Sequence, residues 1–270
     1  MIWCKIYDMT IHYLNCFTCN ARIPRHWQSG TLCLLIESNE GLVLVDTGLG
    51  TRDYVHAPGI LSVFKLITIV PLDDEEAAIR QVIRLGYRPE DVRHIVLTHM
   101  HFDHAGGLPD FPWAKVHVHQ REYEAIKSGK IRRWTDGGYN HHVLDHNPDL
   151  QLYDETGEKW YDFDAIRLRI EPEMYLLPLF GHSPGHCGVA VKDGDGWLLH
   201  VADAASFAED APEWMVRLVL GPHQPRLRDF DKAHPEVKMT TGHMWLDFFE
   251  KMGPKVLCAA PRNGVEGRDL

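Results

Sequence analysis

The sequence predicts an α/β protein, and three observations carry that expectation. Short aliphatic and β-branched runs alternate with helix-like stretches through the first half of the chain, and they do so again in the second. Three of the runs end in histidine. One leads into Thr98-His99-Met100-His101-Phe102-Asp103-His104-Ala105-Gly106-Gly107, another reaches Gly181-His182, and the last reaches Gly242-His243. One site assembled from strand ends explains all three far better than coincidence does, because open α/β sheets place their crevices there. Length agrees, since 270 residues can bury a large core as one big domain or two small ones.

Taken in order, residues 2–7, 31–37 and 41–46 read as strands, the last two joined by a hairpin turn at Ser38-Asn39-Glu40-Gly41. Asp46-Thr47-Gly48 closes the hairpin. The aspartate is either a turn former or an acceptor that orients a metal-bound histidine. Residues 51–72 read as irregular and apolar. A helix follows, with Asp73 or Asp74 as its cap, Glu75 and Glu76 in its first turn, and Ala78, Ile79, Val82 and Ile83 as its buried stripe. Gly86 ends it and Pro89 stops it resuming.

Residues 93–97 form the strand before the histidine loop, 115–119 a further strand, and 121–127 a short helix. His117 and His119 alternate along their strand, so they share a face, and they read as half-buried residues outside the site. Residues 128–150 form a long loop containing His141, His142 and His146, whose facing the sequence leaves open.

The second half opens with strand-like segments at 150–153, 166–170 and 175–180. Gly181-His182-Ser183-Pro184-Gly185-His186 is a turn between strands. His182 sits where a ligand from this half belongs, and His186 reads as a group behind the ligands or a structural one. A hairpin over 189–191 and 197–201 delivers Asp203, which either caps the next turn or supplies a carboxylate bridge between metals. Residues 237–240 are the last strand, ending in Gly242-His243.

His99, His101, Asp103 and His104 place four potential ligands within six residues after a strand. Imidazole and carboxylate together suit zinc and similar metals, and a loop leaving a strand can aim alternate side chains at one ion and the next pair at another. With 18 histidines in the chain some clustering is expected by chance, but H-x-H-x-D-H directly after a strand is rarely accidental.

Composition narrows the function. A hydrophobic content of 44% with 24% charged residues is that of an ordinary globular protein, and a formal net charge of −10 argues against a nucleic-acid partner. Six cysteines in this length make no disulfide scaffold. The Cys16-x-x-Cys19 pair reads as ordinary thiols in a loop, given Thr18 and Asn20 beside it. Lys5 and Asp8 interrupt what a signal peptide would need, and Lys65 interrupts the apolar stretch 59–70, so no membrane partner and a cytoplasmic location are expected.

The set Asp46-Thr47-Gly48, His99 to His104, Gly181 to His186, Asp203 and Gly242-His243 resembles the metallo-β-lactamase superfamily across nearly the whole chain and in the same order. The resemblance implies a four-layer αββα sandwich over residues 1–270, with pseudo-symmetric halves of about 1–150 and 151–270. A dinuclear metal site would lie at the edge between the two sheets. It further implies that His99, His101 and His182 hold one Zn2+, that Asp103, His104 and His243 hold a second, that Asp203 bridges them, and that Asp46 and His186 stand behind the ligands.

Within the superfamily, the chain is most similar to the N-acyl-homoserine lactonases. The shared stretches are E-E-A-A-I-R-Q-V-I-R-L-G-Y-R-P-E-D-V, H-F-D-H-A-G-G, Q-R-E-Y-E-A and G-H-S-P-G-H-C. The expected reaction is hydrolytic opening of a lactone ester by hydroxide held between two ions about 3.5–4 Å apart, with Asp103 orienting it and moving its proton. The lactonases carry a tyrosine three residues past the bridging aspartate, where this chain has Ser206, and that leaves the head-group contact open. Ser206, Phe207, Trp214 and Met215, with Leu218, are the candidate substrate contacts, each equally able to be core. A glyoxalase-II-like thioesterase or a phosphotriester hydrolase shares the metal motifs. The glutathione reading would need a basic cluster, and Lys251, Lys255 and Arg262 make a thin one. A binding module without turnover is disfavoured by the complete ligand set. A small-molecule ester is the expected partner, and a homodimer is allowed for.

Overall fold

Two β-sheets lie face to face, and the two-residue alternation of their strands explains the layering. The structure, a computed structural model, describes residues 10–22, 28–56, 59–66, 68–130, 134–206 and 212–252. In order the elements are β1 (Ile11–Ala21), β2 (Gln28–Ser38), β3 (Gly41–Val45), α1 (Thr51–Val55), α2 (Gly59–Phe64), β4 (Thr68–Ile69), α3 (Ala78–Arg84), β5 (Val92–Val96), α4 (Phe102–Ala105), β6 (Lys115–His119) and α5 (Gln120–Ser128). There follow β7 (Asp149–Tyr153), β8 (Glu158–Trp160), β9 (Phe163–Leu168), β10 (Met174–Pro178), β11 (Cys187–Asp193), β12 (Gly196–His200), α6 (Glu213–Leu220), α7 (Gln224–Ala233), β13 (Val237–Thr240), β14 (His243–Trp245) and α8 (Leu246–Met252).

On β2, Leu32, Leu34 and Ile36 point at the other sheet and meet Met174, Leu176, Val189 and Val191. The intervening Cys33 and Leu35 point the opposite way, toward Ala78 and Val82 of α3 and Ile126 of α5. The second sheet does the same in mirror image, with Leu177, Ala190 and Leu199 packing against Leu227 and Phe230 of α7. These three apolar clusters are the three interfaces of an αββα sandwich, as the sequence led us to expect.

The first sheet has the order β4-β1-β2-β3-β5-β6-β7, with β14 also paired to β2, and the second has β13-β12-β11-β10-β9-β8. Strands β3, β5, β6 and β7 run parallel, joined through α3 and α5, whereas β8 to β12 are antiparallel. Because β5 is parallel and central, its carboxyl end opens at one rim, and β14 brings the end of the chain to that same sheet.

Several local expectations need correction. The expected strand 2–7 and the residues Phe207, Lys255 and Arg262 lie outside the described residues. Cys16 and Cys19 sit in β1 and not in a loop. A β-bulge between Asn15 and Thr18 turns Cys16, Phe17 and Thr18 inward in succession. Thr18, one of the two residues that suggested a loop, is satisfied there by Asn15 Nδ2, which donates to its Oγ1 at 2.8 Å, and by its own amide donating to Glu76 Oε2 at 2.7 Å. The stretch 51–72 contains α1, α2 and the short edge strand β4. The helix expected from Asp73 is broken at Ala77. Asp73 does cap the first turn, accepting from Glu75 N, but α3 starts only at Ala78. Its buried face is therefore Ala78, Gln81 and Val82, and Ile83 is 49% exposed. Gln81 earns its burial by donating to Asn15 O and Glu76 O, both at 2.7 Å. Residues 150–153, read as opening the second half, form β7 and pair with β6 in the first sheet. Among the described residues no helix is long and apolar enough to cross a membrane.

His117 and His119 do share a face, but they are buried rather than half-buried. His117 Nε2 lies 2.9 Å from His94 Nδ1 and its Nδ1 lies 2.8 Å from the Tyr153 hydroxyl, and among the described residues neither His117 nor His119 joins a group of possible metal ligands. Burial, with His94 and Lys115 adding to it, pushes His117 down to about 3. Its folded pKa is thus below the unfolded value near 6.5, so the unfolded chain takes up a proton that the folded chain refuses. Stability from this group is full above pH 6.5 and falls as pH drops toward 3, by up to about 1.4 kcal/mol per pH unit. Urea unfolding of the chelated protein should therefore lose less stability between pH 7 and pH 5 in His117→Gln than in wild type. Equal losses would show that His117 does not titrate in this way.

Candidate metal centre

The histidine loop begins where β5 ends, and one buried carboxylate fixes its course. Asp46, at the end of β3, accepts hydrogen bonds from Thr98 N (2.8 Å), Thr98 Oγ1 (2.7 Å) and His104 Nδ1 (2.8 Å). It reaches them from a left-handed backbone conformation, φ 57°, which aspartate tolerates better than most residues. The chain then makes one turn of helix, α4, which carries Asp103 and His104 beneath His99 and His101.

Three groups of side chains converge at this rim. The ligand atoms of His99, His101 and His182 lie within 4.8 Å of one another, as do those of Asp103, His104 and His243, and those of His99, His104 and Asp203. His101 Nδ1 is 3.0 Å from His182 Nε2. Asp203 stands between the trios, with Oδ2 3.3 Å from His182 Nε2 and 3.5 Å from His243 Nε2, and Oδ1 3.6 Å from His104 Nε2. Asp103 Oδ2 is 3.5 Å from His243 Nε2. Asp203 is brought there by a short turn over Ala202–Ala204, and Gly242 packs against its Oδ1 with no room for a Cβ.

Nitrogen chemistry tests whether metal fits. His104 Nδ1 gives its proton to Asp46, and His182 Nδ1 gives its proton to Val219 O at 2.9 Å, so each presents a bare Nε2. Nε2 of His99 and of His104 are buried with no hydrogen-bond partner. A buried imidazole nitrogen without a partner costs free energy unless something electrophilic meets it. His99 and His101 are pushed well down by burial and by the neighbouring imidazoles, which keeps them neutral. Burial opposes the charge on Asp203 too, yet His243, His104 and His182 hold its carboxyl well below the usual range. Burial pushes His104 and His243 down, but the Asp203 and Asp103 carboxylates outweigh it and hold both up, so these acids draw positive charge to the place where a divalent ion would displace the protons. The donor set therefore fits two adjacent divalent ions.

The residues behind the ligands include some the sequence did not single out. His186 is fully buried, and its Nε2 accepts from Asp203 N at 3.1 Å, fixing the backbone at the central carboxylate. His200, also buried, has Nε2 3.9 Å from Asp46 Oδ2. Glu122 was passed over as part of a helix, although a fully buried glutamate is itself a signal. From the long loop, Tyr139 meets the His101 ring edge-on at 4.9 Å and Gly138 lies flat against it. None of His141, His142 and His146 belongs to the ligand groups; His142 instead pairs with Asp145 at 2.8 Å. Among the candidate substrate contacts, Ser206 N donates to Gln224 Oε1, Met215 is partly buried, and Trp214 and Leu218 are 71% and 53% exposed on α6, the helix whose Val219 carbonyl holds His182.

The family model of the metallo-beta-lactamase superfamily matches residues 27–231. A protein of Mycobacterium tuberculosis named as a probable metallo-hydrolase is 41% identical over 204 residues, spanning 72% of this chain and 62% of that one. An N-acyl homoserine lactonase of Bacillus cereus is 31% identical over 180 residues, spanning 66% of this chain and 64% of the lactonase. The aligned part thus covers a little under two thirds of these relatives' length. Among solved structures, an N-acyl homoserine lactone hydrolase with N-hexanoyl-L-homoserine bound at its catalytic metal centre superposes with a TM-score of 0.64 at 24% identity, over 86% of this chain and 92% of that one. A protein of Staphylococcus aureus described as a probable metal-dependent hydrolase superposes with a TM-score of 0.61 at 21% identity, over 87% of this chain and 89% of that one. At these identities the superpositions speak for the fold.

Gly138 yields a direct test of the packing on His101. A Cβ at this position would stand 2.9 Å from His101 Cγ and 3.0 Å from its Cδ2. Gly138→Ala must therefore displace the ring by some tenths of an ångström, and the expected loss is about 10–100-fold in metal affinity or activity. Metal content after dialysis against a weak chelator, with turnover measured alongside, checks it. Unchanged values would mean that the 134–140 loop gives way freely.

Proposed function

The chain belongs to the metallo-β-lactamase superfamily, and from that premise we propose that it is a dinuclear zinc hydrolase that opens the ester bond of lactones, N-acyl-homoserine lactones above all. The observation that carries the reading is Asp203, whose carboxylate lies within 3.3–3.6 Å of ligand nitrogens from both trios, the arrangement expected of a group shared by two ions. His99, His101 and His182 would hold one ion and Asp103, His104 and His243 the other. When bound, the pair supplies a hydroxide near neutral pH and Lewis acidity toward the ester carbonyl.

The chain's own residues do the remainder. Asp103, itself a member of the second trio, has its Oδ2 3.5 Å from His243 Nε2 and is only 8% exposed. It accepts the proton of the attacking water and passes it to the departing alkoxide oxygen, which becomes the hydroxyl of the ring-opened acid. Asp46 and the Val219 carbonyl keep His104 and His182 in one tautomer throughout. Trp214 and Leu218, about one turn apart on the exposed side of α6, give an apolar strip for an acyl chain on the helix whose Val219 carbonyl holds His182. The relatives named as N-acyl homoserine lactonases support this substrate class.

Two outcomes are expected. The ratio of kcat/KM for a long-chain N-acyl-homoserine lactone to that for a glutathione thioester should exceed one. KM should fall as the acyl chain lengthens, by up to about 0.8 kcal/mol of binding for each methylene fully buried. A ratio below one would replace the lactonase reading with a thioesterase. Asp103→Asn should lower turnover on the order of 10²–10⁴-fold in protein that remains metal-replete; near-normal turnover would assign the proton to another group.

A further inference from the structure

Glu122 lies in the first turn of α5, outside the ligand groups, and its side chain is fully buried. Its four acceptor positions are all used. Oε1 accepts from Met100 N and from the Tyr139 hydroxyl, both at 2.9 Å, and Oε2 accepts from Ser183 Oγ at 2.7 Å and Gly185 N at 2.9 Å. These donors come from three separate segments. Met100 is the residue between His99 and His101, Ser183 follows His182, and Tyr139 stacks edge-on against His101. Gly185 also rests directly on the Glu122 backbone, where a Cβ would have no room.

We propose that Glu122 is the positioning residue of the His99–His101–His182 trio: its one carboxyl group sets the distance between the histidine loop and the 181–186 turn, and so the affinity of one metal site and not of the other. The inference rests on reading that trio as a metal site. Its selectivity follows from what Glu122 does not touch. Asp103, His104, Asp203 and His243 are held from other directions, His104 by Asp46 and the Asp203 backbone by His186.

Glutamine is the discriminating replacement, because it keeps the shape and loses one acceptor. Its amide nitrogen must face either Met100 N–H or Gly185 N–H. A hydroxyl can rotate to accept, but a backbone N–H cannot. One of the two ligand-bearing loops is therefore pushed off, whichever way the amide turns.

The test is a cobalt(II) titration of metal-free protein, read by the visible ligand-field bands and by competition with a chelator of known affinity. Wild type should take up two ions. Glu122→Gln should bind one of them about 10–100-fold more weakly, the range for losing a partner behind a ligand, and the other within about twofold of wild type. In the His243→Ala background, which leaves the trio as the intact site, adding Glu122→Gln should cost the same factor. If Glu122→Gln does not fold, Ser183→Ala and Tyr139→Phe each remove one donor and should weaken the same ion several-fold. Equal weakening of both ions, or no weakening in any of these variants, would overturn the assignment of Glu122 alone. Fewer than two ions in wild type would overturn the dinuclear reading, and this inference with it.

Discussion

The site depends first on a carboxylate that no solvent reaches. Asp46 is fully buried at the end of β3 and receives three hydrogen bonds, two from Thr98 and one from His104. Placing an ionised group there would be unfavourable without those donors. Having them, it binds the end of one strand to the loop leaving its neighbour, five residues beyond which the chain has already turned into α4. It also decides a tautomer, since His104 must carry its proton on the side facing Asp46 and present the other nitrogen to the cluster. The Thr98 hydroxyl that donates to Asp46 in turn lies 3.0 Å from His99 Nδ1. One carboxyl group thus orients members of both trios.

The rim the site occupies is a consequence of layering. Parallel β3, β5 and β6 all end at the same edge of the first sheet, and the second sheet, antiparallel except where β13 joins β12, brings its 181–186 turn and the end of β12 to the same place. Apolar packing between the sheets, Leu32, Leu34 and Val96 against Leu176, Val189 and Leu198, sets their separation before any ligand is considered. The polar cluster is what remains where that packing stops. Unpartnered buried nitrogens gather here, at His99, His101 and His104, where an ion would offset the cost, and at His186 and His200 behind them.

What the sequence made legible was the part with a local signature. H-x-H-x-D-H after a β-branched run needs no tertiary knowledge, and Asp46, His182, Asp203 and His243 could be read because each follows within a few residues of a strand. His243 also opens β14, so residues 237–240 are not the last strand. The αββα layering came from the resemblance, and the alternation on β2 is the residue-level reason that it holds. The failures were of two kinds. Where a long-range hydrogen bond satisfies a polar residue inside a sheet, as Glu76 does for Thr18 in β1, the local pattern imitates a loop. Where a helix starts later than its cap suggests, as α3 does, the buried stripe rotates and exposes Ile83. Neither partner of such an interaction is near it in sequence.

The residues that shape the wall of the site were hidden for a further reason. Gly138 acts by having no side chain, Val219 through its backbone carbonyl, and Met100 and Gly185 through their amides. Side-chain chemistry is what motifs record, so contacts made by the main chain leave no mark in them. Glu122 is the exception that ties these contacts together, because a fully buried glutamate on the first turn of a helix must find donors, and here the donors come from the histidine loop, the 181–186 turn and Tyr139. Ligand identity at this rim is therefore written in the sequence, whereas ligand spacing is set by groups that only the folded chain brings together.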